Sequence, residues 1–185
     1  MNIAIVGATG NVGRKLIEVL EKKKFPISEL FLVASSKSEG KKISYSGKEY
    51  TVIDLEKFDF SNVKIAFFAA GSLIAEKWAH IAAEKTIVID NSKFFRKDPE
   101  IPLVVPEVNS KELAQVKNKN IIANANCSVI PLVVALKPLH DLYNVKRIVV
   151  STYQSVSGAG KDAMDELASQ TQEFFQNKKL ESKYF

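Results

Sequence analysis

The single cysteine of the chain, Cys127, lies where a thiol could act as a nucleophile. Residues 119–123 before it form a strand-like run, and the apolar residues that follow Ser128 recur at helical spacing. We therefore predict that Cys127 lies at the N-terminus of a helix, where the helix dipole and unpaired N–H groups favour the reactive thiolate. A small buried apolar side chain is the alternative. Asn124 and Asn126, together with the helix start, favour the nucleophile.

A glycine-rich segment near the N-terminus has the spacing of a phosphate-binding turn. It follows a short apolar strand, residues 2–6, and precedes a helix. Glycines let the backbone approach a pyrophosphate, and the helix N-terminus offers N–H donors to it. The spacing is G-x-x-G-x-x-G rather than G-x-G-x-x-G, so a simple tight turn is the alternative. The segment is Gly7-Ala8-Thr9-Gly10-Asn11-Val12-Gly13, and the predicted apolar side of the helix holds Leu16, Ile17, Val19 and Leu20.

The loop after the second predicted strand indicates which dinucleotide would bind. An acidic residue at the end of this strand, residues 30–34, would bind the ribose 2'-hydroxyl of NAD. The sequence instead continues with Ser35-Ser36-Lys37-Ser38, whose hydroxyls and ammonium suit a 2'-phosphate. We predict NADP rather than NAD, with an ordinary polar loop as the alternative. A second turn, Ala70-Gly71-Ser72, ends the apolar run 63–69 and is a further predicted cofactor contact.

Alternating strands and helices predict an α/β fold with a doubly wound, Rossmann-like sheet. Residues 42–45 and 49–53 resemble a hairpin within it, and residues 145–153 predict a further strong strand. From Lys161 the chain has the pattern of an amphipathic helix, for which we predict Met164, Leu167 and Phe174 or Phe175 on the buried side.

Two further polar side chains are candidates for binding. Arg96 lies in the loop 90–102, beyond a strand's carboxyl end, and a guanidinium can bind phosphate or carboxylate through two parallel bonds. Gln154 follows the predicted strand 145–153 and precedes a glycine loop, so it could orient a polar substrate. A surface arginine and a structural glutamine are the alternatives.

Composition excludes several classes of protein. The chain has 185 residues, 46% of them hydrophobic, which is enough for a sizeable core. Its net charge of +5 comes from scattered lysines, a distribution typical of a solvated surface rather than of a nucleic-acid site. One cysteine excludes an internal disulfide framework, and no apolar run approaches ~18 residues. We expect a soluble cytoplasmic protein that neither binds a metal nor enters a membrane.

Together these motifs resemble the aspartate-semialdehyde dehydrogenase family. The resemblance runs from Met1 to about Gln172 and rests on several segments in the family's order. It implies NADP-dependent, phosphate-using interconversion of L-aspartyl 4-phosphate and L-aspartate 4-semialdehyde by a homodimer, on the route to lysine, threonine and methionine. The segments are Gly7 to Gly13, Val88-Ile89-Asp90-Asn91-Ser92 with Phe95-Arg96, Pro106-Glu107-Val108-Asn109, Asn124-Ala125-Asn126-Cys127, and Ser151-Thr152-Tyr153-Gln154 with Ser157-Gly158-Ala159-Gly160.

The resemblance also implies roles for particular residues. Cys127 would form the acyl-enzyme, Arg96 would bind phosphate, Gln154 would orient the substrate, and backbone N–H groups near Asn126 and Cys127 would hold the oxyanion. Residues 1–126 would form the NADP-binding domain, and residues 127–185 the first part of an α+β catalytic and dimerisation domain. The implied cofactor contacts, joined by Gly71 from the second turn, are Thr9, Gly10, Asn11, Val12, Lys37, Ser38, Ser157 and Gly158.

Two departures from the family pattern bear on these expectations. Ala125 stands where the family usually has proline. The family also continues for roughly another domain half, with a general-base histidine, a substrate-binding arginine and a phosphate-binding lysine that have no counterpart here, since neither His80 nor His140 matches the base. We expect an N-terminal part of the enzyme. A sister acyl-phosphate reductase, of the N-acetyl-glutamyl-phosphate reductase type, and a non-catalytic NADP-binding or dimerising module are the alternatives.

Overall fold

The computed structural model describes residues 1–184, and of Asn118 only the backbone. The chain divides into two compact units, Met1–Ile148 and Val149–Phe185. The described strands all belong to the first unit.

The first unit is built on an eight-stranded sheet in which β3 alone runs antiparallel to its neighbour. The order is β3-β4-β2-β1-β5-β6-β8-β7, so the chain starts in the middle and winds outward to both edges, as the predicted doubly wound fold requires. The strands are β1 (Asn2–Val6), β2 (Glu29–Ala34), β3 (Lys42–Tyr45), β4 (Lys48–Asp54), β5 (Ile65–Phe68), β6 (Ile87–Asp90), β7 (Leu103–Val104) and β8 (Ile121–Asn124). The helices are α1 (Asn11–Lys22), α2 (Ser72–Ala83), α3 (Pro106–Asn109) and α4 (Val129–Tyr143). The predicted hairpin is β3 and β4.

The sheet has an apolar layer on each face. Successive β1 side chains point to opposite faces, so Ile3 and Ile5 pack with one cluster while Ala4 and Val6 pack with the other. The first cluster includes α1 through Ile17 and Leu20, and the second includes α2 through Ala75 and Ala79. Val19, predicted on the apolar side of α1, is 40% exposed, because the buried positions Gly13, Ile17 and Leu20 are spaced by four and three residues and leave it off their face.

The glycine segment holds α1 unusually close to the end of β1. A Cβ on Gly13 would lie 2.2 Å from the carbonyl oxygen of Gly7, and a Cβ on Gly7 would lie 2.6 Å from that of Ala69. Gly7 also has φ +88°, which other residues rarely adopt. These two glycines therefore fix how the first helix and the turn after β5 meet the end of β1.

The predicted strand over residues 145–153 is wrong. The chain has no regular structure from Val145 to Gln154, and among the described residues no strand pairs with this segment. A strand is stabilised by ladder hydrogen bonds and cross-strand contacts, so a β-type sequence without a neighbour does not form one. Apolar side chains of this segment are exposed, since Val149 is 80% exposed and Tyr153 fully so.

The second unit consists of a 3-10 turn, Val156–Ala159, and the helix α5 (Lys161–Phe175). The helix is where the sequence predicted it, but the predicted burial of Met164, Leu167 and the Phe174–Phe175 pair is wrong, because only Ala163 is buried on this helix. After α5 the chain turns back, and the backbone N–H groups of Lys183 and Tyr184 donate to the Glu166 carboxylate. Within the part of the chain that the structure describes, no helix is long and apolar enough to cross a membrane.

Two Asp-x-Ser turns in the first unit make the same hydrogen bonds in different surroundings. In each, one carboxylate oxygen accepts the backbone N–H of the serine and the other accepts its hydroxyl, in Asp59 with Ser61 and in Asp90 with Ser92. Asp59 is exposed, and the Ser61 hydrogen bonds lower its pKa. Asp90 is fully buried, and burial raises its pKa although the Ser92 hydrogen bonds and Arg96 oppose the shift.

We expect Gly13→Ala to lower the free energy of unfolding by about 1–3 kcal/mol, because the added methyl group forces the backbone of α1 away from Gly7. Urea denaturation followed by the fluorescence of Trp78, the only tryptophan and part of the first unit, measures the change. Gly158→Ala is the control, since a Cβ there meets open space. Equal stabilities for wild type and Gly13→Ala would contradict the packing role.

The two aspartates predict opposite pH dependences. Asp90 binds a proton more readily in the folded state, so the stability of wild type relative to Asp90→Asn falls as pH rises from the usual aspartate pKa through the raised one. Asp59 binds a proton less readily when folded, so the stability of wild type relative to Asp59→Asn is present above the usual aspartate pKa and is lost as pH falls. Urea denaturation between acidic and neutral pH tests both, and slopes of the same sign would refute the account.

Candidate functional site

The predicted site residues of the first unit follow the carboxyl ends of its parallel strands. The glycine turn follows β1, the serine-rich loop follows β2, Gly71 follows β5, Arg96 follows β6 and Cys127 follows β8. Parallel strands bring these ends to one edge of the sheet, which is where ligands bind in open α/β folds. Because β1 and β8 are three positions apart in the strand order, their ends lie about 14 Å apart along this edge.

Cys127 is exposed and lies two residues before α4, next to its N-cap Ser128, so it is at a helix start as the sequence predicted. Asn126 organises this helix start: its side-chain oxygen accepts the Ser128 backbone N–H at 3.0 Å and the Ser128 hydroxyl at 2.6 Å. The backbone oxygen of Asn126 accepts the N–H groups of Val129 and Ile130. The thiol Sγ lies 3.9 Å from the Asn126 side-chain oxygen. The sulfur is thus open to solvent at the positive end of a 15-residue helix.

The N–H groups of this helix start differ in whether they are already used. Those of Ser128, Val129 and Ile130 all donate to Asn126, whereas that of Cys127 has no acceptor among the described residues. A free N–H next to a nucleophile is the kind of donor that stabilises an oxyanion. The Cys127 N–H is therefore available to hold an oxyanion, which is the role that the family resemblance implies for this segment.

Arg96 is held against the same region of the chain. Its Nε donates to the Asn124 carbonyl at 2.9 Å, and its Nη2 donates to the Asn91 carbonyl at 3.1 Å. The two asparagines are themselves joined, because the Asn124 side-chain NH₂ donates to the Asn91 side-chain oxygen at 2.7 Å. Arg96 is half-buried, and its other guanidinium N–H groups remain for a ligand. Through Asn124 the guanidinium is tied to the strand end that leads into Cys127.

The glycine turn and the loop after β2 meet at their side chains. The Thr9 hydroxyl donates to the Ser38 hydroxyl at 3.4 Å, and Ser38 is buried. The Lys41 ammonium donates to the same hydroxyl, also at 3.4 Å. Lys37, which the sequence singled out, is exposed on the short 3-10 helix Ser36–Ser38.

The other predicted cofactor contacts of the first unit surround the starts of two helices. Gly10, Asn11 and Val12 are exposed at the start of α1, whose N-cap Gly10 has no side chain to make a capping hydrogen bond. Gly71 precedes α2 with φ +85° and is also exposed. Because a helix start carries N–H groups without intrahelical acceptors, both starts offer donors to an anion.

Gln154, Ser157 and Gly158 belong to the second unit, where all three are exposed. The Gln154 side-chain oxygen accepts the Thr152 hydroxyl at 3.3 Å. The Ser157 N–H and hydroxyl both donate to the Ser155 hydroxyl, and the Gly158 N–H donates to the Ser155 carbonyl. Ser155 therefore shapes the turn that carries the two predicted cofactor contacts.

Sequence reasoning missed the roles of Asn91, Asn124 and Lys41. The two asparagines were noted as parts of motifs, but their mutual hydrogen bond joins positions 33 residues apart and leaves no local signal. A signal for Lys41 does exist: the glycine at position 40, with φ +80°, reverses the chain between Ser38 and Lys41 and so returns the Lys41 side chain to Ser38. The residues 1–184 contain no cluster of His, Cys, Asp and Glu that could hold a metal ion.

Comparison with known families finds two matches along the chain. Residues 2–116 match "Semialdehyde dehydrogenase, NAD binding domain", and residues 136–185 match "Semialdehyde dehydrogenase, dimerisation domain". Aspartate-semialdehyde dehydrogenase of Shewanella violacea is 49% identical over 185 residues, which are 100% of this chain and 55% of that protein.

Solved structures give the same result. The aspartate semialdehyde dehydrogenase II of Vibrio cholerae, complexed with ASA, is 52% identical and superimposes with a TM-score of 0.95 over 100% of this chain and 55% of its own. The Candida albicans enzyme with NADP is 28% identical, with a TM-score of 0.63 over 78% of this chain and 48% of its own. The chain thus spans about half the length of the relatives it matches. It belongs to the semialdehyde dehydrogenase family, and the resemblance to aspartate-semialdehyde dehydrogenase that its motifs indicated is confirmed.

Proposed function

We propose that the chain carries the cofactor-binding and nucleophile-bearing part of an NADP-dependent aspartate-semialdehyde dehydrogenase, in which Cys127 forms a thioester. The reaction is the reversible, phosphate-using interconversion of L-aspartate 4-semialdehyde and L-aspartyl 4-phosphate. The observation that carries the proposal is the exposed Cys127 thiol at the start of α4, on the sheet edge that also holds the glycine turn and Arg96. We expect this biosynthetic role in the cytoplasm.

The residues at the cofactor end of this edge fit NADP. The start of α1 offers N–H donors to a pyrophosphate, and the exposed Gly10 leaves room for one. The hydroxyls of Thr9 and Ser38, with the ammonium groups of Lys37 and Lys41, suit a 2'-phosphate better than a hydroxyl. The match to an NAD-binding domain and the NADP held by the Candida albicans relative support this choice.

The chain's own residues would supply the nucleophile, an oxyanion donor and a phosphate-binding group for the covalent steps. The Cys127 thiolate adds to the aldehyde carbon, and the Cys127 N–H can hold the resulting oxyanion. NADP, when bound, supplies the hydride acceptor, so the thiohemiacetal becomes a thioester. A phosphate oxygen, held by Arg96, then attacks the thioester carbon and the C–S bond breaks. The products are L-aspartyl 4-phosphate and the regenerated Cys127 thiolate.

The two family matches support different functions for the two parts of the chain. We infer that residues 1–126 bind NADP and that residues 127–185 begin a catalytic and dimerisation part, in which Gln154 orients the substrate while Ser157 and Gly158 contact NADP. The match of residues 136–185 to a dimerisation domain supports a homodimer. So does the apolar surface at Leu142 and Tyr143, which are 75% and 77% exposed.

We expect Cys127→Ser to lower turnover by at least about a thousandfold, because a serine hydroxyl is far less ionised than a thiol at neutral pH. NADPH formation from L-aspartate 4-semialdehyde, NADP and phosphate measures turnover. Mass spectrometry without phosphate should show one acyl group on the wild-type chain and none on the variant. NADP binding should persist in both.

The same assays separate the alternatives. Turnover of N-acetyl-glutamate semialdehyde in preference to the aspartate compound would indicate the sister reductase. A chain that binds NADP but forms neither NADPH nor an acyl-enzyme would be a non-catalytic module. Undiminished turnover by Cys127→Ser would refute the nucleophile.

We expect Arg96→Lys to raise the KM for phosphate by roughly 10- to 100-fold, the range for one hydrogen bond to a charged group. A lysine cannot donate to the Asn91 and Asn124 carbonyls and still present a planar fork to phosphate. Steady-state kinetics at varied phosphate tests this, with the exposed Arg147→Lys as control. An unchanged KM would remove Arg96 from the phosphate site.

A further inference from the structure

The Ser38 hydroxyl is the meeting point of three segments at the cofactor end of the sheet edge. Ser38 is 8% exposed, and its oxygen accepts one bond from the Thr9 hydroxyl and one from the Lys41 ammonium, each at 3.4 Å. Two accepted bonds occupy the oxygen's acceptor positions, so its own proton is left to donate. A buried serine, a threonine and a lysine therefore form a cluster that can donate to an anion.

The backbone places Lys41 in this cluster. Its N–H donates to the Ser38 carbonyl at 3.2 Å, and its carbonyl accepts the Val52 N–H at 2.8 Å. Gly40, with φ +80°, makes the reversal that allows both bonds, and its own N–H donates to the Val52 carbonyl at 2.9 Å. The Lys41 side chain thus leaves from a backbone fixed on both sides.

Lys37 has no such arrangement. It lies in the 3-10 helix Ser36–Ser38 and is exposed, as Lys41 is, but its ammonium has no partner among the described residues. An unrestrained lysine loses more side-chain entropy when it binds a ligand than one already directed to the site. Lys41 is therefore the better placed of the two cations.

The acidic residue of this loop is neutralised. Both Glu39 carboxylate oxygens accept from the Lys57 ammonium at 2.8 Å, and this carboxylate raises the pKa of Lys57, which stays charged. The Asp54 carboxylate, at the end of β4, is used by the short helix that follows, where it accepts the Glu56 N–H. Among the described residues the Ser38 hydroxyl is the only side-chain partner of the Lys41 ammonium, which favours an anionic ligand.

We infer that Lys41 is the residue that determines NADP specificity, its ammonium binding the 2'-phosphate together with the hydroxyls of Ser38 and Thr9. The inference rests on the proposed function, since it concerns the same cofactor site. NAD presents a neutral 2'-hydroxyl there, which gives Lys41 no charge partner. Lys41 therefore contributes to NADP affinity and little to NAD affinity.

Isothermal titration of the full chain with NADP, NAD, 2',5'-ADP and 5'-AMP tests this. We expect Lys41→Gln to weaken NADP and 2',5'-ADP by roughly 10- to 100-fold, the range for a charged hydrogen bond, with NAD and 5'-AMP changed less than about twofold. Lys37→Gln should have a smaller effect. Lys42→Gln is the matched control, because the neighbouring Lys42 is exposed and paired with Glu49 at 2.8 Å.

Each outcome decides the inference. Selective loss of the 2'-phosphorylated ligands in Lys41→Gln alone supports it. Retained NADP preference in Lys41→Gln, or an equal loss in Lys42→Gln or Lys37→Gln, overturns it while leaving NADP as the cofactor. A wild-type chain that binds none of the four nucleotides overturns both this inference and the proposed cofactor. Circular dichroism of each variant confirms that the fold is unchanged.

Discussion

The close contact of Gly13 with the Gly7 carbonyl is the constraint on which the cofactor end of the molecule depends. It brings the start of α1 against the end of β1, and Gly7 brings the turn after β5 against the same point. Two helix starts therefore converge at one edge of the sheet. A side chain at either glycine would push a helix outward and separate the N–H donors from the place where phosphates would lie.

The hydrogen bonds around Arg96 fix the geometry of the sheet edge near Cys127, as the two glycines fix it at the cofactor end. A flexible arginine on a loop would bind phosphate weakly, since ordering it costs entropy. Here two backbone carbonyls, of Asn91 and Asn124, hold the guanidinium, and the asparagine side chains bind each other. The strand end that holds Arg96 continues within three residues to Cys127. Any movement of β8 therefore shifts Arg96 and the Cys127 thiol together.

The cofactor end shows how a neighbouring ion pair can prepare a site without touching the ligand. Glu39 lies next to Ser38 in sequence, and an unpaired carboxylate there would repel a phosphate. Its pairing with Lys57 reduces that repulsion and leaves the Lys41 ammonium to the Ser38 hydroxyl.

The two Asp-x-Ser turns also show that surroundings decide the effect of a contact, because the same pattern of hydrogen bonds accompanies opposite pKa shifts in Asp59 and Asp90.

The sequence by itself determined the doubly wound fold, the glycine turn and the position of Cys127 at a helix start, because these depend on local periodicity and on spacing within a few residues. The sequence was wrong about a strand at residues 145–153 and about the buried side of α5, because both depend on a neighbouring strand or helix that a local pattern does not reveal. Only the tertiary structure decided that Lys41, rather than Lys37, reaches Ser38, and that Asn91 meets Asn124. The Asn91–Asn124 contact joins the ends of two strands, so it follows from sheet order and register. The Lys41–Ser38 contact depends on the backbone reversal at Gly40, whose geometry only the structure gives.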